Sequence, residues 1–263
     1  MRRLFLLYLL AVLFLSQCKR LDNSVYLTYY GHSCFEFKYA GKRILIDPFT
    51  PEWFDYIQPA GQFDYVISSH SAKDHNYIDS ILCENILLAS GETDEFLAQI
   101  DDSSYIKVNE IKETIQGNQL SVKTVASFHD EIRGARNGVN GITCFRFNDI
   151  SVVHLGDIGH VLYEDQMERT GQVDVLMIPV DSYHIIDLDS AIAIIEQLNP
   201  RIVIPIHYKT VKCKNDFDDD DLEKFLSHFE NIKRCNCSSL NLTKLKYKNK
   251  LTVLLMDYLT CQK

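Results

Sequence analysis

The sequence predicts an α/β domain in which two β-sheets are layered with outer helices. Three observations predict it. Apolar runs of strand length crowd the first half of the chain, and helix-like and strand-like segments alternate in the later half. The third is size: 263 residues, 46% of them hydrophobic, are enough to bury one substantial core. Such layering is shared by several α/β folds, so periodicity alone leaves the fold family open.

The first eighteen residues stand apart from that domain, which is expected over residues 19–263. Arg2 and Arg3 precede an apolar run from Leu4 to Leu15 that is too short to span a bilayer and suits the core of a signal peptide. Leu15-Ser16-Gln17-Cys18 follows and is similar to a bacterial lipobox, in which a lipid on Cys18 would attach the chain to a membrane. Gln17 departs from the small residue expected before that cysteine, so simple secretion and an uncleaved anchor stand as alternatives. Arg2-Arg3-Leu4-Phe5-Leu6 also resembles the core of a twin-arginine signal, although the apolar run favours the ordinary secretory route. The expectation is an exported protein, periplasmic or membrane-anchored if bacterial.

From there the elements read in order. Val25 to Tyr30, Cys34 to Tyr39, Arg43 to Ile46 and Tyr65 to Ser68 are short strands punctuated by Gly31, Gly41 and Asp47-Pro48. A strand-rich stretch from Ser104 to Phe128 carries a hairpin turn at Gly117-Asn118, and Asn148-Asp149 turns a second hairpin between Ile142 to Phe147 and Ile150 to Leu155. A helix near Tyr163 to Thr170 leads to a strand at Val175 to Val180. A second helix runs from Leu188 to Leu198, with Leu188, Ala191, Ile194, Ile195 and Leu198 on one face and Asn199-Pro200 as its stop. Ile202 to Ile206 is again a strand. The acidic run Asp216 to Asp221 opens a last helix, Leu222 to Phe229, where carboxylates favour the N-terminus. Lys244, Lys246, Lys248 and Lys250 alternate as the solvated face of a C-terminal edge strand.

Composition narrows the function. The net charge of -9 argues against a nucleic-acid partner, whose binders present a basic face, and leaves a small-molecule substrate as the expected partner; the oligomeric state is not readable. Of the eight cysteines, Cys34, Cys83 and Cys144 sit in apolar runs and read as small buried hydrophobes. Cys213, Cys235, Cys237 and Cys261 are spaced like no zinc motif and could form disulfides in an oxidising compartment.

The chemistry is concentrated at strand ends. His70-Ser71-Ala72-Lys73-Asp74-His75 follows directly on the strand ending at Ser68, and His129, Asp157 and His207 each stand just beyond another apolar strand. Imidazoles and carboxylates suit zinc and other divalent ions. One such residue is commonplace; four strand ends each offering one describe a single cleft.

These residues lie in segments that together resemble the metallo-beta-lactamase superfamily, within it the branch of ascorbate-6-phosphate lactonase-like hydrolases. The segments are Tyr30-Gly31-His32-Ser33-Cys34-Phe35, Leu45-Ile46-Asp47-Pro48, the His70 to His75 loop, Phe128-His129-Asp130, Gly134-Ala135-Arg136-Asn137-Gly138-Val139-Asn140, His154 to His160 and Ile204-Pro205-Ile206-His207-Tyr208. The resemblance implies an αβ/βα sandwich and a hydrolase that attacks an ester, lactone or phosphodiester with a metal-bound hydroxide. It implies one or two zinc ions, with manganese as an alternative. A first site would use His70 and His129, a second Asp74, His75 and His207, with Asp157 shared; Asp74 would also serve catalysis by orienting or deprotonating water. His32, Asp47, His160 and His184 would stand behind the ligands or touch substrate, while His154 and His228 read as structural and surface residues. Ala72 occupies a position where the family carries histidine. The first site is therefore expected to be depleted and the second to hold metal more tightly, and a catalytically weakened metal-binding protein is the alternative. Asp181-Ser182-Tyr183-His184 replaces a family Gly-Gly turn, which points to a remodelled pocket and, less directly, to Asp181 and His184 as replacement ligands.

Overall fold

A computed structural model describes residues 22–79, 81–89, 110–214, 220–245 and 250–260. The leader with Cys18, Cys261, Asp216 to Asp219, Lys246 and Lys248 lie outside the described residues.

Two mixed sheets form the body. The smaller orders Ser239–Asn241 (β13), Tyr26–Gly31 (β1), Cys34–Tyr39 (β2), Lys42–Ile46 (β3), Gln62–Ser68 (β4) and Leu82–Leu88 (β5). The larger orders Ile232–Cys235 (β12), Thr252–Met256 (β14), Ile202–Ile206 (β11), Val175–Pro179 (β10), Ile150–His154 (β9), Val139–Phe147 (β8), Asn118–Phe128 (β7) and Glu110–Ile115 (β6). Alternation decides what each face meets. Phe35, Phe37, Ile44 and Ile46 of the small sheet pack against Val152, Val175, Met177 and Ile204 of the large one, forming the core between the sheets. The opposite faces of β10 and β11 are apolar as well: Leu176, Ile178 and Val203 lie beneath Ala191, Ile194 and Ile195 of a helix. Parallel strands buried on both faces read as unbroken apolar runs, which is why Val-Leu-Met-Ile-Pro and Ile-Val-Ile-Pro-Ile show no alternation.

The helices are Glu164–Thr170 (α1), Leu188–Leu198 (α2) and Asp221–Leu226 (α3). The bounds of α2 agree with the sequence because both ends are set locally. Asp187 accepts from the backbone N–H of Ser190, and Asn199 adopts the left-handed conformation that stops the helix.

Other expectations need correction. The first hairpin turns at Gln116-Gly117, both at positive φ, one residue before the expected pair; Asn118 instead starts β7 opposite Ile115. Lys244 is not on a strand. It closes a 3-10 turn whose Leu242 is buried in the central core, and the strand begins only at Thr252, where Val253, Leu254 and Met256 find apolar partners. Cys213, Cys235 and Cys237 are free thiols, although the sulfurs of Cys235 and Cys237 lie 3.2 Å apart.

What the fold contributes to function is one shared edge. The C-terminal ends of β4, β7, β9, β10 and β11 and the β1–β2 turn open there, and hydrogen bonds join the sheets across it: Gly141 N to Ser69 O (2.9 Å), His207 N to His32 O (3.2 Å) and His154 Nε2 to Ser33 O (2.9 Å).

Candidate metal centre

Six residues expected as ligands converge on that edge. The Oδ2 atom of Asp157, after β9, lies 3.1 Å from His75 Nε2, 3.3 Å from His129 Nε2, 3.4 Å from His207 Nε2 and 3.7 Å from His70 Nε2. Asp74 Oδ2 is 3.8 Å from the Nε2 atoms of both His75 and His207. The donor atoms fall into two groups, each with all members within 4.8 Å of one another: His70, His129 and Asp157 in one, His32, Asp74, His75 and His207 in the other. His32 is the surprise. Expected behind the ligands or against substrate, it places Nε2 3.4 Å from Asp74 Oδ2.

Local structure aims these side chains. Asp157 leaves the sheet through Gly156, at φ +58°, where a Cβ would stand 2.3 Å from Asn140 Oδ1 and 2.6 Å from Ser69 Cβ, so glycine is required there. Asn140 in turn accepts the backbone N–H of Asp157 (2.9 Å) and donates to Leu155 O and Ser127 Oγ. His32 and His207 both take positive φ, 56° and 52°, unusual for residues other than glycine and concentrated where function demands it.

Behind the ligands stands a row of carboxylates and hydroxyls. Asp47, fully buried, accepts from His75 Nδ1 (2.8 Å) and from the backbone N–H and hydroxyl of Ser69 (2.7 and 2.8 Å), and so fixes Nε2 of His75 toward the centre. Asp181 belongs to neither donor group: its Oδ2 lies 3.3 Å from His207 Nδ1 and accepts from His184 Nδ1 at 2.9 Å, so it orients His207 from behind. His154 is satisfied on both nitrogens, by Ser33 O and by the N–H of Gly156, and His228 is exposed, as expected for structural and surface residues. His160 accepts from the N–H of Phe128 and donates to Val161 O while stacked on Tyr163, bracing the cleft rather than touching the cluster. Sequence reasoning passed over Ser69 and the bracing role of Asn140. A serine between strand and histidine, or an asparagine at a strand start, carries no chemical signature of its own.

The donor set fits divalent metal. His70 Nε2 and Asp157 Oδ1 are buried with no hydrogen-bond partner, an arrangement that costs roughly 1–3 kcal/mol per group unless something satisfies them. Burial, with the neighbouring His207, lowers the pKa of His32 to about 4, and burial with His75 does the same for His70. Both imidazoles are thus neutral at pH 7, with a lone pair to offer. Burial also opposes charge on His207, but Asp157, Asp181 and Asp74 outweigh it and raise its pKa to about 10. Asp157 and Asp74 are held well below the usual carboxylate range, because the surrounding imidazoles overcome the cost of burial. Burial opposes charge on His75 too, but Asp157, Asp47 and Asp74 outweigh it and hold its pKa well above the ordinary value, so a cation entering the cluster would displace protons from both His75 and His207.

In front of His129 opens a polar cleft of about 490 Å³, walled by Arg136, Asn137, His160, Tyr183 and His184. Its scale is that of small-molecule sites. A larger cavity, about 960 Å³ between the β1–β2 face and residues 257–260, shares no residue with the cluster.

Residues 26–207 match the model of the beta-lactamase superfamily domain. A UPF0173 protein of Pyrococcus abyssi is 31% identical over 186 residues, covering 70% of this chain and 83% of its own. A protein of Caldivirga maquilingensis named UPF0173 metal-dependent hydrolase is 27% identical, covering 70% and 82%. Among solved structures, a proposed Zn-dependent hydrolase of the metallo-beta-lactamase superfamily from Thermotoga maritima superposes with a TM-score of 0.63 at 27% identity, over 89% of this chain and all of that one.

Proposed function

Since the chain belongs to the beta-lactamase superfamily domain family, with relatives named metal-dependent hydrolases, we propose that it hydrolyses an ester, lactone or phosphodiester bond in a small molecule. The observation that carries this reading is the convergence of five imidazoles and two carboxylates, several of them buried without partners, at the mouth of a cleft. Zinc, or manganese in its place, would be held by His70, Asp74, His75, His129, Asp157 and His207; it would polarise the scissile bond and acidify the attacking water.

The chain's own residues do the rest. Asp47 and Asp181 lock the ring orientations of His75 and His207, so the donors are positioned before anything binds. Asp74 keeps Oδ2 on the imidazoles while its side chain stays 15% exposed, against 1% for Asp157, so it is the more accessible of the two carboxylates to a water entering the centre. Arg136 and His184, both lining the cleft, suit an anionic or carbonyl-bearing substrate. Lactones of phosphorylated sugars meet both requirements, in keeping with the lactonase-like resemblance. Export, with a lipid on Cys18, is part of this proposal and rests on the leader's composition alone.

The test is metal-dependent turnover. The full chain, stripped with chelator and reloaded with zinc or manganese, is expected to hydrolyse one of the three bond classes in a substrate panel. Asp157→Asn is expected to lower kcat/KM at least 100-fold. A chain that binds neither ion overturns the reading. Ala72 favours a second one, a metal-binding protein with turnover lost; that reading requires tight metal with no hydrolysis of any class.

A further inference from the structure

The two donor groups are unequal in number and in access. In the larger, three imidazoles and a carboxylate enclose one point: His32, His75 and His207 stand 3.4, 3.8 and 3.8 Å from Asp74 Oδ2. Donors about 2.0–2.1 Å from a tetrahedral zinc ion are about 3.3 Å apart, so this set needs only small adjustments to close on one. The smaller group has three protein donors, His70, His129 and Asp157, with Asp157 Oδ2 3.7 and 3.3 Å from the two imidazoles; the same oxygen lies 3.1 and 3.4 Å from His75 and His207, so it stands between the groups and is the one donor the smaller site shares. Residue 72, where the superfamily resemblance implies a further histidine donor to this group, is alanine, and His129 lines the cleft. Four protein ligands characterise structural zinc sites, while three with an open position characterise catalytic ones.

We propose that the groups divide the work: His32 completes a closed four-ligand site with a structural role, and Ala72 leaves the His70, His129 and Asp157 site open for substrate. The alanine is thus part of the working design rather than a sign of decay. The inference rests on the metal-hydrolase reading above. It gives His32 a ligand role, and it accounts for an imidazole held in a left-handed turn with its carbonyl fixed by the N–H of His207 and the hydroxyl of Tyr29.

Zinc titration of the stripped full chain, followed by calorimetry, tests this without reference to turnover. Two classes of site are expected. His32→Ala should weaken the tight class at least 100-fold and leave the weak class within about threefold, while His129→Ala should abolish the weak class alone. Ala72→His should tighten the weak class at least tenfold. Cobalt-loaded protein supplies a second readout: the intense visible bands of four-coordinate cobalt at the first equivalent should collapse in both His32→Ala and His32→Gln. Far-ultraviolet circular dichroism verifies that these variants are folded, and if His32→Ala is not, His32→Gln decides. Unchanged tight binding and an unchanged cobalt spectrum in a folded His32 variant overturn the proposal. Wild-type protein that takes up neither zinc nor cobalt overturns the metal-hydrolase reading itself.

Discussion

Asp130 illustrates how one side chain can hold the loop beside the candidate metal centre. Its two oxygens accept the backbone N–H groups of Ile132, Gly134, Arg136 and Asn137 at 2.7–3.0 Å, so the loop from His129 to Gly138 is wound around one buried carboxylate. Burial opposes that charge, but the four donors outweigh it and depress the pKa. A carboxylate depressed in the folded state contributes its stability in full above its unfolded value near 4 and loses it as the pH falls through the lower folded value. Asp130→Ala is therefore expected to cost about 2–3 kcal/mol in urea unfolding at pH 7. The deficit should shrink steadily below about pH 4; a deficit independent of pH would mean that the charge is not what organises the loop. Residue-level chemistry was also the most legible part of the sequence. His70, Asp74, His75, His129, Asp157 and His207 were visible as ligand-type residues at strand ends, and all six converge. His32 was legible only as a residue behind the ligands or against substrate, because its place among the donors depends on the turn between β1 and β2 being docked against His207, a contact between residues far apart in the chain.

Elements whose limits are written locally were read well, and those defined by distant pairing were not. The helix α2 carries its own start and stop, and β10 and β11 announce themselves as unbroken apolar runs. By contrast β12 and β13 are four and three residues long and lack a buried apolar face of their own; β12 exists by pairing with β14, and β13 by pairing with β1. Nothing in Ile-Lys-Arg-Cys foretells that partner. The same locality makes the cap of α2 a clean target. Asp187 accepts from the N–H and hydroxyl of Ser190 at 2.9 and 2.7 Å, so Asp187→Ala is expected to destabilise the fold by about 1 kcal/mol. Zinc affinity should be unchanged because no donor lies on that helix; a shift in affinity would show that α2 does more than cover the sheet.

At the scale of the whole molecule, the metal centre and the fold are thermodynamically linked. An ion that binds only the folded chain stabilises it by about 2.7 kcal/mol at a hundredfold excess over its dissociation constant. For a chain of this length that corresponds to a rise on the order of 5–10 °C in Tm, so chelator should lower the melting temperature by this amount and added zinc restore it. An identical Tm with and without chelator would mean that the cluster is occupied weakly or not at all. The origin of the donors adds to this. His32, His70, Asp74 and His75 come from the small sheet, and His129, Asp157 and His207 from the large one, and each donor group draws on both. An ion bound there would thus be a clasp between two halves rather than an ornament on one. Neither half alone can assemble a complete donor group, so docking of the sheets would have to precede loading, and any motion that parts the sheets at this edge would release a bound ion.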